Sequence, residues 1–196
     1  MKKIAVQIVF ATLIMSTSSF ASMYDLGLHV SRSDLEARFH ADLPLGKAIF
    51  STGLGVLYRD DDYKIADIKL TLGKELLAPK LRLSLGLKGV LGNVERDQKE
   101  GDVMAVGALV AATYPIPQTI SPLPVEVSAG VSFAPDPFCF SDSERYLELR
   151  TSLDFRVVEN GAIILGYRHI HARLDNNHGQ WKISDSVFFV GYRLSY

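Results

Sequence analysis

Val187 to Tyr196 reads VFFVGYRLSY, and this stretch decides the fold. Successive side chains of an extended strand point to opposite faces. Phe188, Val190, Tyr192, Leu194 and Tyr196 therefore share one side, with Phe189, Gly191, Arg193 and Ser195 on the other. The first side is wholly apolar or aromatic, so the strand lies against an apolar medium. Its N–H and C=O groups need neighbours, and in lipid the sheet that pairs every backbone group is one closed into a barrel.

The same period of two recurs upstream. Leu26, Leu28 and Val30 oppose Asp25, Gly27 and His29; Leu35, Ala37, Phe39, Ala41 and Leu43 oppose Glu36, Arg38, His40 and Asp42. Leu81, Leu83, Leu85 and Leu87 alternate with Arg82, Ser84, Gly86 and Lys88, which no helical stripe of period 3.6 can produce. Comparable runs cover Phe50 to Arg59, Ala66 to Leu72, Val125 to Phe133, Leu147 to Arg156 and Ile163 to His169. Val103 to Tyr114 is apolar or small on both faces and hides its register. Turn signals separate the runs: Pro44 to Lys47, Ala78-Pro79, and Asn160-Gly161, which predicts a type I′ hairpin.

The pattern predicts an all-β protein, an antiparallel up-and-down transmembrane β-barrel of about ten strands. An eight-stranded version, with the two weakest runs merged or unpaired, also satisfies it. Short turns on one side alternate with the polar loops DDD, NVERDQKEGD, APDPFCFSDS and RLDNNHGQ on the other. Pro115 to Pro124 is the exception, a long connection on the short-turn side.

Met1, Lys2 and Lys3 precede an apolar run, Ile4 to Met15, and the small residues Ser19 and Ala21. This is the form of a secretory signal peptide over 1–21, leaving 22–196 as one domain exported to the outer membrane. The chain is 47% hydrophobic and 22% charged with a net charge of −1, a balance that argues against nucleic acid as a partner. Its lone cysteine, Cys139, forms no internal disulfide and is expected as an exposed loop thiol. The expected partners are outer-membrane lipid, lipopolysaccharide and the barrel-assembly machinery; oligomeric state stays open. No cofactor is implied.

If the apolar face meets lipid, the other face fills the lumen. It carries Glu36, Asp67, Glu126, Glu148 and Asp154 with Arg38, Lys69, Arg82, Lys88, Arg150, Arg156, Arg168 and Arg193. With Asp25 and Asp42 on the same face the signs nearly match, and ten strands enclose little more than room for side chains, so paired charges are expected to fill the lumen. Tyr58, Tyr63, Tyr114, Tyr192 and Tyr196 fall near strand ends, where interfacial girdles belong.

The closing strand resembles the assembly signal of outer-membrane barrels, polar-x-Gly-x-x-apolar-x-aromatic. Gly191, Leu194 and Tyr196 fit it, and Phe189 departs from the polar first position. The Asp60 to Asp62 loop, LGLKGV at Leu85 to Val90, GDVMAVGALV from Gly101, FAPD at Phe133 to Asp136 and ILGYRHI at Ile164 to Ile170 together resemble the YfaZ group of outer-membrane proteins. The resemblance implies a small barrel, structural or porin-like.

His169 and His171, two apart and hence on one face, belong to the outer face near the external rim. The pair is similar to the His-x-Ser of lipid A 3-O-deacylase barrels. That likeness would make His169 the base, but His171 stands where the serine nucleophile belongs, and the orienting acid is unassigned, with Asp185 a candidate. The alternatives are rim histidines beside headgroup phosphates, or a divalent metal held by His169, His171 and His178. The reading is therefore a non-enzymatic barrel without a metal site, with a lipid-modifying esterase or a surface-binding protein acting through its external loops as alternatives.

Overall fold

The computed structural model describes residues 23–60, 62–76, 80–96, 99–117, 123–176 and 179–196. The signal segment over 1–21, Asp61, His178 and the middle of the Pro115 to Pro124 connection lie outside the described residues. Among the described residues the strands are β1 (Met23–Ser31), β2 (Leu35–Leu45), β3 (Ala48–Arg59), β4 (Tyr63–Glu75), β5 (Arg82–Arg96), β6 (Lys99–Pro115), β7 (Val125–Ala134), β8 (Cys139–Ser141), β9 (Ser143–Val158), β10 (Gly161–Asn176) and β11 (Gly179–Ser195).

Ten long strands form a closed antiparallel ring in chain order. β8 spans 3 residues and shares one place in the ring with β7. β7 pairs with the periplasmic part of β6, Ala108 to Pro115, and β8 takes over at Val103 to Ala105. The seam joins β1 to β11 from Asp25↔Ser195 to Ser31↔Phe189, and Tyr24 and Tyr196 exchange backbone hydrogen bonds of 3.0 and 2.8 Å. Val103 to Tyr114, whose sequence hides its register, is a full strand between β5 and β7.

Both chain ends of the barrel share one rim with the short turns, the periplasmic arrangement of bacterial barrels. There Gly46 takes the positive φ of 65° that its turn requires. The Asn160-Gly161 hairpin differs from expectation. Glu159 and Asn160 make the turn, neither Asn160 nor Gly161 has positive φ, and the register shifts between Gly161 and Ala162. The irregularity supplies the bend that a type I′ turn was expected to provide.

The external rim is slanted. β1 to β4 are 9 to 13 residues long, whereas β5, β6, β9, β10 and β11 run to 15–17, beyond the 9–11 that cross a bilayer. Within the membrane Leu28, Leu54, Leu70, Leu85, Val110 and Val190 face outward and are exposed, as alternation predicts. Above it the pattern inverts. Outward positions become Asn93, Asp102, Arg173 and Lys182, while Val90, Val94, Val103, Ala105, Ile170, Ala172, Leu174 and Ile183 turn inward and are buried. Where the wall leaves lipid for water, the hydrophobic effect reverses which face is covered.

Candidate functional site: a layered lumen and a polar outer rim

The lumen has three layers. The external one is an apolar plug: Leu57, Ile65, Val90, Val94, Val103, Ala105, Tyr146, Ile170, Leu174 and Ile183 form one packed cluster, with Trp181 and Cys139 against it. Leu174 is 0% exposed. Cys139 is thus half-buried rather than the exposed thiol expected, because β8 docks on β6 and its Sγ reaches Ala134 O at 3.5 Å. Burial, with the nearby Asp136 carboxylate, pushes its thiol pKa up and makes it a poor nucleophile.

The middle layer is ionic. Glu36, 2% exposed, accepts from Arg38 Nε at 2.6 Å, from Arg150 Nη1 and Nη2 at 2.9 Å each, and from Arg168 Nη1 at 3.2 Å. Arg168, itself 1% exposed, donates to Asp34 at 2.6 Å. Lys88 bridges Glu148 at 2.6 Å and Asp67 at 3.5 Å, and Arg38 also reaches Asp67 at 3.3 Å. Arg59 pairs with Asp185 at 2.9 Å. The Tyr63 hydroxyl joins these groups, 2.8 Å from Asp185 and 3.1 Å from Asp34, and accepts from Arg168 at 3.3 Å. The guanidinium of Arg150 lies 4.5 Å from the centre of the Phe189 ring, a cation–π contact.

Six carboxylates (Asp34, Glu36, Asp62, Asp67, Glu148, Asp185) and five cations (Arg38, Arg59, Lys88, Arg150, Arg168) are thus joined in one connected cluster, and a sixth cation, Lys69, lines the cavity beside Asp67. The match matters because an unbalanced charge this far from water is costly.

The periplasmic layer is a cup. A cavity of about 470 Å³ is lined by Asp42, Lys69, Arg82, Thr113, Glu126 and Arg193 among others. Here the expected charges pair locally: Arg82 with Asp42 at 3.2 Å, and Arg193 with Asp154 at 2.8 Å and, more loosely, with Glu126 at 4.0 Å. Small residues of β6, Ala111 and Thr113, leave the space open. Lys69 and Arg156 line this cup, and no described residue forms an ion pair with either. The lumen is therefore only partly filled by the charge network expected for it.

Several participants escaped sequence reasoning. Tyr63, expected in a girdle, points inward at 5% exposure; extending the β4 alternation back from Asp67 through Ile65 puts it there. Asp185 points inward to Arg59 and Tyr63, so it cannot orient an outward histidine. Asp34 enters from the β1–β2 turn, where Ser31 Oγ accepts from its N–H at 3.0 Å, and no periodicity announces it. The closing-strand glycine has a packing role too: a Cβ on Gly191 would sit 2.1 Å from the His29 ring, which covers it.

On the outer wall His169 and His171 face outward as expected. Cross-strand register brings a serine to the first of them: His169 pairs with Ser186, Nδ1 to Oγ 2.7 Å, and the Tyr167 hydroxyl donates to the same Oγ at 3.2 Å. No carboxylate hydrogen-bonds to His169 among the described residues, and no cluster of three metal-ligating side chains occurs among them.

Among the solved structures similar to this chain are bacterial surface and outer-membrane proteins. Neisserial surface protein A shares 11% identity, with 89% of this chain and 94% of that one covered at a TM-score of 0.38. The β domain of the Bordetella autotransporter BrkA shares 10% identity, over 88% and 98%, at 0.43. An anion-selective porin from Comamonas acidovorans shares 13%, over 83% and 49%, at 0.41. Comparison with curated proteins gives no match. The YfaZ precursor profile matches residues 1–196, and the chain belongs to that family of outer-membrane β-barrels.

Proposed function

We propose that this protein is a non-conducting outer-membrane barrel, a structural element whose lumen is a cup open to the periplasm and stopped on the external side. The observation that carries this reading is the plug: Val94, Val103, Tyr146 and Leu174 are each 2% exposed or less, and the paired charges lie directly beneath them. A hydrated ion would have to displace close-packed aliphatic side chains and then part the ionic cluster, both of which oppose passage. The test is swelling of liposomes carrying the protein in isotonic solutions of small sugars. No swelling above empty liposomes is expected; swelling that scales with protein content would overturn the proposal.

The Ser186 to His169 contact of 2.7 Å favours a second reading, a lipid-facing esterase in which Ser186 attacks and His169 accepts its proton. Against it, the imidazole lacks an orienting carboxylate among the described residues. Incubating purified protein with ester-linked lipid and measuring released fatty acid tests this reading. Release abolished by Ser186→Ala supports it, and intact lipid removes it.

A further inference from the structure

The outer wall of β9, β10 and β11 changes character row by row. Antiparallel register aligns Thr151, Tyr167 and Phe188; above them Leu149, His169 and Ser186; then Leu147, His171 and Ser184; then Arg145, Arg173 and Lys182. All of these positions face outward. Three full cations thus stand side by side in one row, with His171 directly below and close enough to feel Lys182, Arg173 and Arg145.

The height of that row is set by the strand. From Tyr196 to Ser186 is a ten-residue step, roughly 25 Å of vertical rise at ~3.3 Å per residue and ~40° tilt, the thickness of the apolar band of such barrels. Arg173 and Lys182 lie four residues higher on the same scale, roughly 10 Å above that edge, in the depth range of outer-leaflet headgroups.

Below the row the wall is concave. An apolar groove of about 740 Å³ runs between Leu153, Leu165, Tyr167, Phe188 and Val190, with Arg32 at one edge. Phe188 is 79% exposed there, and its ring lies 5.2 Å from that of Tyr167. The nearby acid Glu144, partly buried, reaches the exposed Arg173 at 4.0 Å, and such a surface pair holds a charge weakly.

We propose that this face binds one phosphate-bearing, acylated lipid of the surrounding outer leaflet, with an acyl chain in the groove and the phosphate under Arg145, Arg173 and Lys182. The chemistry is complementary at both ends: aliphatic and aromatic walls for the chain, and a triad of donors for a dianionic headgroup. Ser186 and His169 lie between the two, level with the ester linkages of such a lipid, and supply polar contacts there.

The test is native mass spectrometry of the purified full chain in neutral detergent. The probes are phosphatidic acid and diacylglycerol carrying the same chains, so that only the phosphate differs. One phosphatidic acid should be retained at concentrations about a hundredfold below those needed for diacylglycerol, at roughly five-fold for each of three cations. Arg173→Gln with Lys182→Gln should weaken retention about twenty-five-fold, at roughly five-fold per surface cation. Lys64→Gln, at the same rim on β4 across the barrel, should leave it unchanged. Equal retention of diacylglycerol, an unaffected double variant, or an equal loss in Lys64→Gln would each overturn the proposal. Gel mobility before and after boiling reports folding, and Arg145→Gln carries the same test should the double variant misfold.

Discussion

Removing the charge of Glu36 should be among the most damaging single changes available to this barrel. Its carboxylate accepts four hydrogen bonds from three guanidiniums within 3.2 Å at 2% exposure, in a cluster where each buried acid is matched by a neighbouring cation. Glu36→Gln preserves shape but leaves one buried positive charge uncompensated, a change that costs about 3–5 kcal/mol. The assay is urea unfolding in detergent micelles, followed by the fluorescence of Trp181, the single tryptophan, which packs on the plug and loses that environment on unfolding. A control, Arg156→Gln in the cup, should change stability by no more than about 0.5 kcal/mol. Glu36→Gln combined with Arg150→Met restores the charge balance and should recover about 1–3 kcal/mol of the loss. If Glu36→Gln costs less than about 1 kcal/mol, or the double variant is simply additive, the middle layer is not a charge-balanced unit and the reasoning fails.

Leu174→Ala removes a fully buried plug side chain and should cost about 2–5 kcal/mol in the same urea assay, with no gain of heat-labile mobility. Gly191→Ala places a methyl 2.1 Å from His29 and 2.8 Å from Leu28 O across the closing seam, and should lower the folded fraction seen as heat-modifiable mobility; a normal folded yield would contradict the packing role. Tyr63→Phe strips the hydroxyl from between Asp34, Asp185 and Arg168, and should cost about 1–3 kcal/mol by urea unfolding, whereas a girdle tyrosine would lose almost nothing.

Within the bilayer the sequence is easy to read because lipid imposes a strict period of two: an outward position such as Leu85 or Val190 has no alternative but to be apolar. Closure follows from that alternation together with the turn signals, whereas the choice between ten and eight strands waits on the pairing of β6 with β5 and β7. Above the bilayer the same period carries the opposite meaning. Val90 and Val94 continue the inward series of Gly86 and Lys88 but are apolar, while Asn93 follows Leu85 and Leu87 on the outward side and is polar, and composition alone does not mark where the two faces exchange character. The plug was therefore invisible, and the lumen was expected to be ionic throughout.

Contacts made through register were equally hidden. Ser186 is 17 residues from His169 in the chain, and only the pairing of β10 with β11 brings them together. Asp34 comes from a turn whose direction no alternation specifies. Asn160-Gly161 was misleading for the opposite reason, since a strong local turn preference yielded to the strand register on either side.

Single-channel recording in planar bilayers tests the central claim most directly, because a barrel stopped by packed aliphatic side chains over a layer of paired charges must be electrically silent. The account predicts no steps above the bare membrane at either polarity over the usual range of salt and voltage. Reproducible open levels that rise with salt concentration would contradict it.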